Sequence, residues 1–209
     1  PVELAQFALS LFFETFNLKL TQGVKIRVQS DIPMGCGMGS SAATVLSIVH
    51  AIAHHLQVEL SRDVFFRLAL EAENMQHGYS SGLDLQVSLN GGCVFVKDGQ
   101  THQRIVPDLP MYLVNTGVPS TTTGECVTHA AHFFNNSSIA DDFADVTTAM
   151  DAALQANHLA DIKHAVHANH ELLVKIGVVP STVQQFIEET KQFSAAAKVC
   201  GAGSVSGEK

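Results

Sequence analysis

The segment Pro33-Met34-Gly35-Cys36-Gly37-Met38-Gly39-Ser40-Ser41-Ala42-Ala43 sets three glycines at alternate positions, then two serines, then an apolar run. Glycine is costly to order, so such a cluster marks backbone that side chains would obstruct. Where a glycine loop opens into a helix, free amide N–H groups face outward and the helix dipole adds partial positive charge. That combination suits an anion, above all a phosphate. Two acids further along, Glu73 and Asp84, widen the chemistry. A Mg2+ ion held on a nucleotide takes one or two carboxylates or hydroxyls besides the phosphate oxygens. A second acid near an acceptor hydroxyl can orient or deprotonate it. Ser41, Glu73 and Asp84 would fill those jobs if the fold brings them together. Each residue also has a plainer reading: a tight helix entry with a serine N-cap, a solvated helix carboxylate at Glu73, a turn residue at Asp84. The common nucleotide fingerprints do not apply. GxxxxGK[ST] is absent because no lysine follows the serines, and GxGxxG fails because position 40 is serine.

These residues need elements to hold them. Val24 to Gln29 alternates apolar and polar residues and predicts a strand with one wet face. Asp31-Ile32-Pro33 breaks it. Beyond the glycines, Val45, Ile48, Val49, Ile52 and Leu56 recur at helical spacing and predict a deeply buried stripe. Ser61 is placed to cap a second helix over roughly 62–76, with Val64, Leu68, Ala72 and Met75 inward. HGYSSGLDLQVSLNGG reads as a loop with turn chemistry at both ends. Cys93 to Val96 and Gln103 to Val106 flank Asp98-Gly99, a hairpin signal. Pro107 and Pro110 bracket a candidate domain boundary, giving 1–108 and 109–209. Met111 to Asn115 predicts a buried strand, followed by a polar loop from Thr116 to Gly124. Two or three helices follow up to Gly177. Ser181 with Gln184 suggests a capping box. Ala197 to Cys200 predicts a strand entering a second glycine loop, GAGSVSG.

Composition sets bounds. With 209 residues there is length for a sizeable core, in one large domain or two small ones. The start, PVELAQFALSLFFETF, lacks a basic head and reads as an amphipathic helix rather than a signal peptide. No run of about 18 apolar residues predicts a membrane span. The net charge of −8 and the absence of a Lys/Arg cluster argue against nucleic-acid or anionic-membrane partners. The four cysteines form no CxxC pair, which fits reduced thiols in a cytoplasmic protein. The histidines at 54, 55, 158, 164, 167 and 170 lack the HExxH pattern and read as surface or ordinary structural residues.

At this point the sequence resembles a known family. Pro33 to Ala43 is similar to the phosphate-binding signature of the GHMP kinases, P-x-G-x-G-L-G-S-S-A-A, with Met38 for leucine. Glu73 to Asp84 is similar to the E-x-x-x-H-G-x-P-S-G-x-D segment of the mevalonate kinases within it, with Ser80 where proline is usual. Asn115-Thr116-Gly117-Val118-Pro119 resembles their substrate-side loop. Cys200-Gly201-Ala202-Gly203 resembles the third motif, with Ser204 and Val205 where glycines are usual. The resemblance implies an α+β fold in the two-domain GHMP kinase architecture, with a ribosomal protein S5 domain 2-like N-terminal part and a ferredoxin-like, helix-rich C-terminal part. Residues 1–108 would belong to the N-terminal ATP-binding domain and 109–209 to the C-terminal domain. The family's first motif and the lysine beside its catalytic aspartate have no counterpart here. The chain is therefore expected to be a fragment missing both ends.

Carried over by position, the resemblance implies that Gly35, Cys36, Gly37, Met38, Gly39, Ser40, Ser41 and Ala42 bind the phosphates of ATP. Ser41 and Glu73 would hold Mg2+, and Asp84, the catalytic residue, would act on the acceptor hydroxyl as base or electrostatic partner. His77, Thr122, Gly201, Ala202 and Gly203 would lie on the substrate side, with His77 and Thr122 either contacting substrate or supporting loops. The expected reaction is transfer of the γ-phosphoryl of Mg-ATP to a small-molecule alcohol, most plausibly mevalonate. A relative acting on a sugar or sugar phosphate stays open, as does a non-catalytic nucleotide- or metabolite-binding protein on the same scaffold. Relatives are often dimers, and the helical faces of the second half are compatible with a homodimer.

Overall fold

The computed structural model describes residues 2–19, 23–78, 80–193 and 195–205. Its contacts divide into two compact units, Pro1–Met34 with Met38–Gly92, and Gly35–Gly37 with Cys93–Lys209.

The first unit is helical. Helix α1 (Val2–Thr15) buries Leu4, Ala8 and Phe12, one face at i, i+4, i+8. Helix α2 (Ser40–His55) buries Val45, Ile48, Val49 and Ile52, the stripe expected from their spacing. Helix α3 (Arg62–His77) starts where expected, with the Ser61 side chain accepting from the Val64 N–H at 3.3 Å. Leu68 and Ala72 face the core, whereas Met75, expected inward, is 55% exposed. The core joins Phe12, Val45, Val49, Leu68 and Leu85. Each such fully buried side chain contributes about 1.5–3 kcal/mol by leaving water.

Helix α4 (Leu83–Asn90) corrects the reading of this stretch as a loop. Gly82 precedes it with φ 73° and Gly91 follows it with φ 65°. The glycines that suggested a loop are the helix ends, and the eight residues between them make two turns. Residues 24–29 lie in no sheet among the described residues, so the strand expected there is also corrected.

In the second unit β1 (Cys93–Lys97) pairs antiparallel with β2 (Gln100–Arg104). Asp98 (φ 51°) and Gly99 (φ 73°) make the turn, both with the positive φ that a type I′ hairpin demands. The second strand starts directly after the turn rather than at Gln103, and Ile105 is 93% exposed. Arg104 grips Asp151 with two bonds, Nε–Oδ1 at 2.6 Å and Nη2–Oδ2 at 2.9 Å, and its guanidinium lies 5.5 Å from the Phe95 ring centre. The bonded guanidinium holds the Asp151 carboxyl below the ordinary carboxylate range.

Three helices follow: α5 (Thr123–Asn136), α6 (Ile139–Gln155), which carries Asp151, and α7 (Leu159–Lys175). Helix α8 (Ser181–Thr190) then runs into a 3-10 turn, Lys191–Phe193. Its N-cap is Pro180, without a side-chain cap bond, so the capping box expected at Ser181 is not there. Thr122 and Glu125 make one instead, at the start of α5. Ile139, Ile176, Val178 and Val179 form this unit's core. Residues 111–115 and 197–200 are not strands, which corrects both expectations. No helix among the described residues is long and apolar enough to cross a membrane.

Half-buried His170 in α7 has an Nδ1 with no hydrogen-bond partner among the described residues. Burial pushes its pKa down first, then the charges of His167 and Lys191, against Glu171 and Glu188. A histidine held below its ordinary value of about 6.5 opposes folding once the unfolded chain begins to take up that proton. Melting temperature should therefore fall as pH drops from neutrality through that value. His170→Gln should flatten part of this slope in a pH series of thermal melts. An unchanged slope would mean that His170 contributes nothing to it.

Candidate active site

In the first unit the site residues stand on three helices that pack against one another, α2, α3 and α4. Gly39 precedes α2 with φ 67° and ψ 21°, a left-handed conformation that favours glycine. The cap of α2 is this glycine, with no side-chain bond, so the serine N-cap reading is corrected. Ser40 and Ser41 lie in the first turn and Ala42 is buried. Asp84 stands in the first turn of α4, exposed and directly against Gly39. A Cβ on Gly39 would lie 3.9 Å from Asp84 Oδ2. This carboxylate therefore stands close to two helix N-termini, those of α2 and α4. Glu73 is only 4% exposed, not the solvated carboxylate of the plainer reading. Its Oε2 accepts from the Ser80 hydroxyl at 2.9 Å.

In the second unit three loops meet. A Cβ on Gly37 (φ 68°) would stand 2.8 Å from the Cys200 carbonyl oxygen, and one on Gly201 would stand 2.9 Å from the Gly37 Cα. The two glycine stretches thus touch backbone to backbone. Asn115 Oδ1 accepts from the Gly117 N–H at 2.9 Å and from the Cys36 thiol at 3.7 Å. Thr121 Oγ1 lies 2.9 Å from the Ser204 hydroxyl and accepts from the Val205 N–H at 3.2 Å. Cys126 Sγ donates to the Gly203 carbonyl at 3.6 Å. Half-buried Ala202 lies between these anchors. Thr122 caps α5: its N–H and hydroxyl both donate to Glu125 Oε2, at 2.7 and 2.8 Å. Those bonds pull the Glu125 carboxyl below its ordinary value, the backbone bond most. The side chain of His77 lies outside the described residues.

Sequence reasoning missed the bonding of Ser80 and the Thr121–Ser204 pair, and it named Asn115 only as part of a loop, without its bond to Gly117. Asn two residues before a glycine is an Asx-turn signal, which could have found Asn115. Ser80 stood out only as a replacement for proline.

The donors suit a cation shared with phosphates. They are hard oxygens, one hydroxyl and one carboxylate, which leaves room for phosphate ligands. Among the described residues no three His, Cys, Asp or Glu side chains gather into a metal cage of their own.

Residues 3–92 match the family model of the GHMP kinases N terminal domain. The mevalonate kinase of Archaeoglobus fulgidus is 26% identical over 191 residues, which cover 90% of this chain and 65% of that protein. The mevalonate kinase of Pyrococcus furiosus is 34% identical over 115 residues, 52% of this chain and 34% of that protein. The crystal structure of Methanococcus jannaschii mevalonate kinase superposes with a TM-score of 0.74 at 24% identity, over 96% of this chain and 64% of that one. At that identity the likeness speaks for the fold, which is the helix-rich α+β fold expected. The chain spans about two thirds or less of the length of the curated relatives it matches.

Proposed function

We infer that this chain is part of an ATP-dependent kinase that phosphorylates a small-molecule alcohol, with mevalonate the first choice of acceptor. The observation that carries the reading is Asp84 seated against Gly39 at the mouth of α2, in the unit that also buries Glu73. The relatives named mevalonate kinase support the choice of acceptor. Residues 1–108 would form part of the ATP-binding domain and 109–209 part of the C-terminal domain.

On this reading the amides from Gly35 to Ala42 bind the phosphates, because glycine leaves them open and the α2 dipole favours anions. Ser41 and Glu73 would hold Mg2+. The ion, when bound, supplies charge neutralisation on the transferring phosphoryl group. Asp84 orients the acceptor hydroxyl and takes its proton as the oxygen–phosphorus bond forms and the bond to the β-phosphate oxygen breaks, leaving ADP. His77, Thr122 and the backbone of Gly201, Ala202 and Gly203 would serve the acceptor. All four cysteines are free thiols, in keeping with a cytoplasmic assignment.

The test is an ADP-release screen of the full-length protein against mevalonate, phosphomevalonate, homoserine and several sugars. Release that depends on mevalonate is expected. Release with a sugar alone would replace the acceptor. Stabilisation by ATP with no ADP formed from any acceptor would turn the reading into that of a binding protein.

A further inference from the structure

We propose that Ser80 is a positioning residue: it fixes the Glu73 carboxylate for the cation through a clasp joining the end of α3 to the start of α4. This rests on the reading of Glu73 as a cation ligand. Three hydrogen bonds meet at Ser80. Its hydroxyl donates to Glu73 Oε2 at 2.9 Å and accepts from the Gly82 N–H at 3.2 Å. Its own N–H donates to Asn74 Oδ1 at 2.7 Å. Glu73 and Asn74 belong to α3, while Gly82 is the residue that caps α4, two positions before Asp84. One serine therefore touches the segments that carry both acids.

The bonding is self-consistent. A serine hydroxyl has one proton and two lone pairs. Given to Glu73, that proton leaves the lone pairs to accept from Gly82. A carboxylate as buried as Glu73 is costly without a donor, and the hydroxyl supplies one. The same bond restricts a side chain that would otherwise sample many rotamers. The hydroxyl engages Oε2, which leaves Oε1 as the oxygen to present to a hard cation. A proline at position 80 would offer neither the hydroxyl nor the N–H.

The experiment compares Ser80→Ala, Ser80→Thr, Asn74→Ala and Glu73→Gln in the full-length protein. Calorimetry measures ATP binding with Mg2+ and without it, alongside thermal melts and the split of kcat from KM. Ser80→Ala should raise the Mg2+ concentration needed for half-maximal tight ATP binding about tenfold, the scale of outer-shell ligand effects. Affinity for metal-free ATP should not change. Ser80→Thr, which keeps the hydroxyl, should restore the Mg2+ requirement. Asn74→Ala, which frees the Ser80 backbone, should shift it in the same direction, and serves if Ser80→Ala does not fold. If Glu73→Gln raises the Mg2+ requirement but Ser80→Ala and Asn74→Ala do not, the clasp is overturned while the cation reading stands. If Glu73→Gln leaves the requirement unchanged, both fall together.

Discussion

Asp84→Asn should lower acceptor-dependent ADP release by roughly a thousandfold, the scale of a lost general base, and leave ATP binding close to that of the parent protein. Asparagine has nearly the same shape and can still hydrogen-bond an acceptor hydroxyl. It has no negative charge and cannot take the proton at neutral pH. The fold should tolerate the change, because Asp84 is exposed at the first turn of α4 and belongs to no core cluster. What the helix loses is a charge–dipole interaction of about 0.3–1 kcal/mol. The measurement is a coupled ADP assay with and without acceptor, next to calorimetric ATP binding and a thermal melt. Unchanged turnover with an intact fold would sink the assignment of Asp84. Lost turnover together with lost ATP binding would place Asp84 in nucleotide binding instead.

The second large effect is expected at Gly37→Ala. Gly37 has φ 68°, and a Cβ there would stand 2.8 Å from the Cys200 carbonyl oxygen and 3.3 Å from its carbon. The obstacle is backbone, so no rotamer change relieves it. Left-handed φ alone costs a non-glycine residue about 1–2 kcal/mol. Displacement of the Cys200–Gly203 stretch or of the glycine loop adds to that. ATP affinity should fall by about tenfold or more, since every 1.4 kcal/mol of misplaced backbone is a factor of ten. Gly99→Ala is the internal control. Gly99 has φ 73° at the hairpin tip with nothing within 4 Å of a Cβ, so it carries the conformational cost alone. Thermal melts and ATP titrations of the two variants separate the terms. If Gly37→Ala behaves like Gly99→Ala in both assays, the backbone contact with Cys200 has no part in holding the loop.

Helices proved easier to read than strands, for a physical reason. A helix satisfies its backbone within itself, so the spacing of Val45, Ile48, Val49 and Ile52 was enough to place α2 and its buried face. The hairpin was legible because its turn is local: Asp98-Gly99 sets the conformation on its own. A strand needs a partner that its own residues do not name. Val24 to Gln29 alternates as a strand should, yet has no ladder among the described residues. Met111 to Val114 is apolar, yet Tyr112 is 89% exposed and Leu113 71%. Helix α4 was hidden by its own glycines.

The site divides the same way. The glycine loop and the two acids were visible as residue types, and the left-handed conformations of Gly35, Gly37 and Gly39 follow from their identity. Burial of Glu73 was not visible, because position 73 shares a helix with both core and solvent positions. Nor was the Ser80 clasp, because hydrogen bonds across a turn depend on where that turn folds. Thr122 shows the converse. A threonine followed three residues later by glutamate is a capping box by sequence, and it was passed over for Ser181, whose flanking proline caps its helix instead.

The grip of Arg104 on Asp151 has a consequence for how acid would take the second unit apart. A carboxylate held below its ordinary range keeps its ionic partner to a lower pH than that at which free carboxylates protonate. His170 reaches its limit far sooner, near the ordinary imidazole range. Titrated downward, the unit should therefore loosen first around α7 and the Lys191 turn, while the tie between β2 and α6 through Arg104 and Asp151 persists to lower pH.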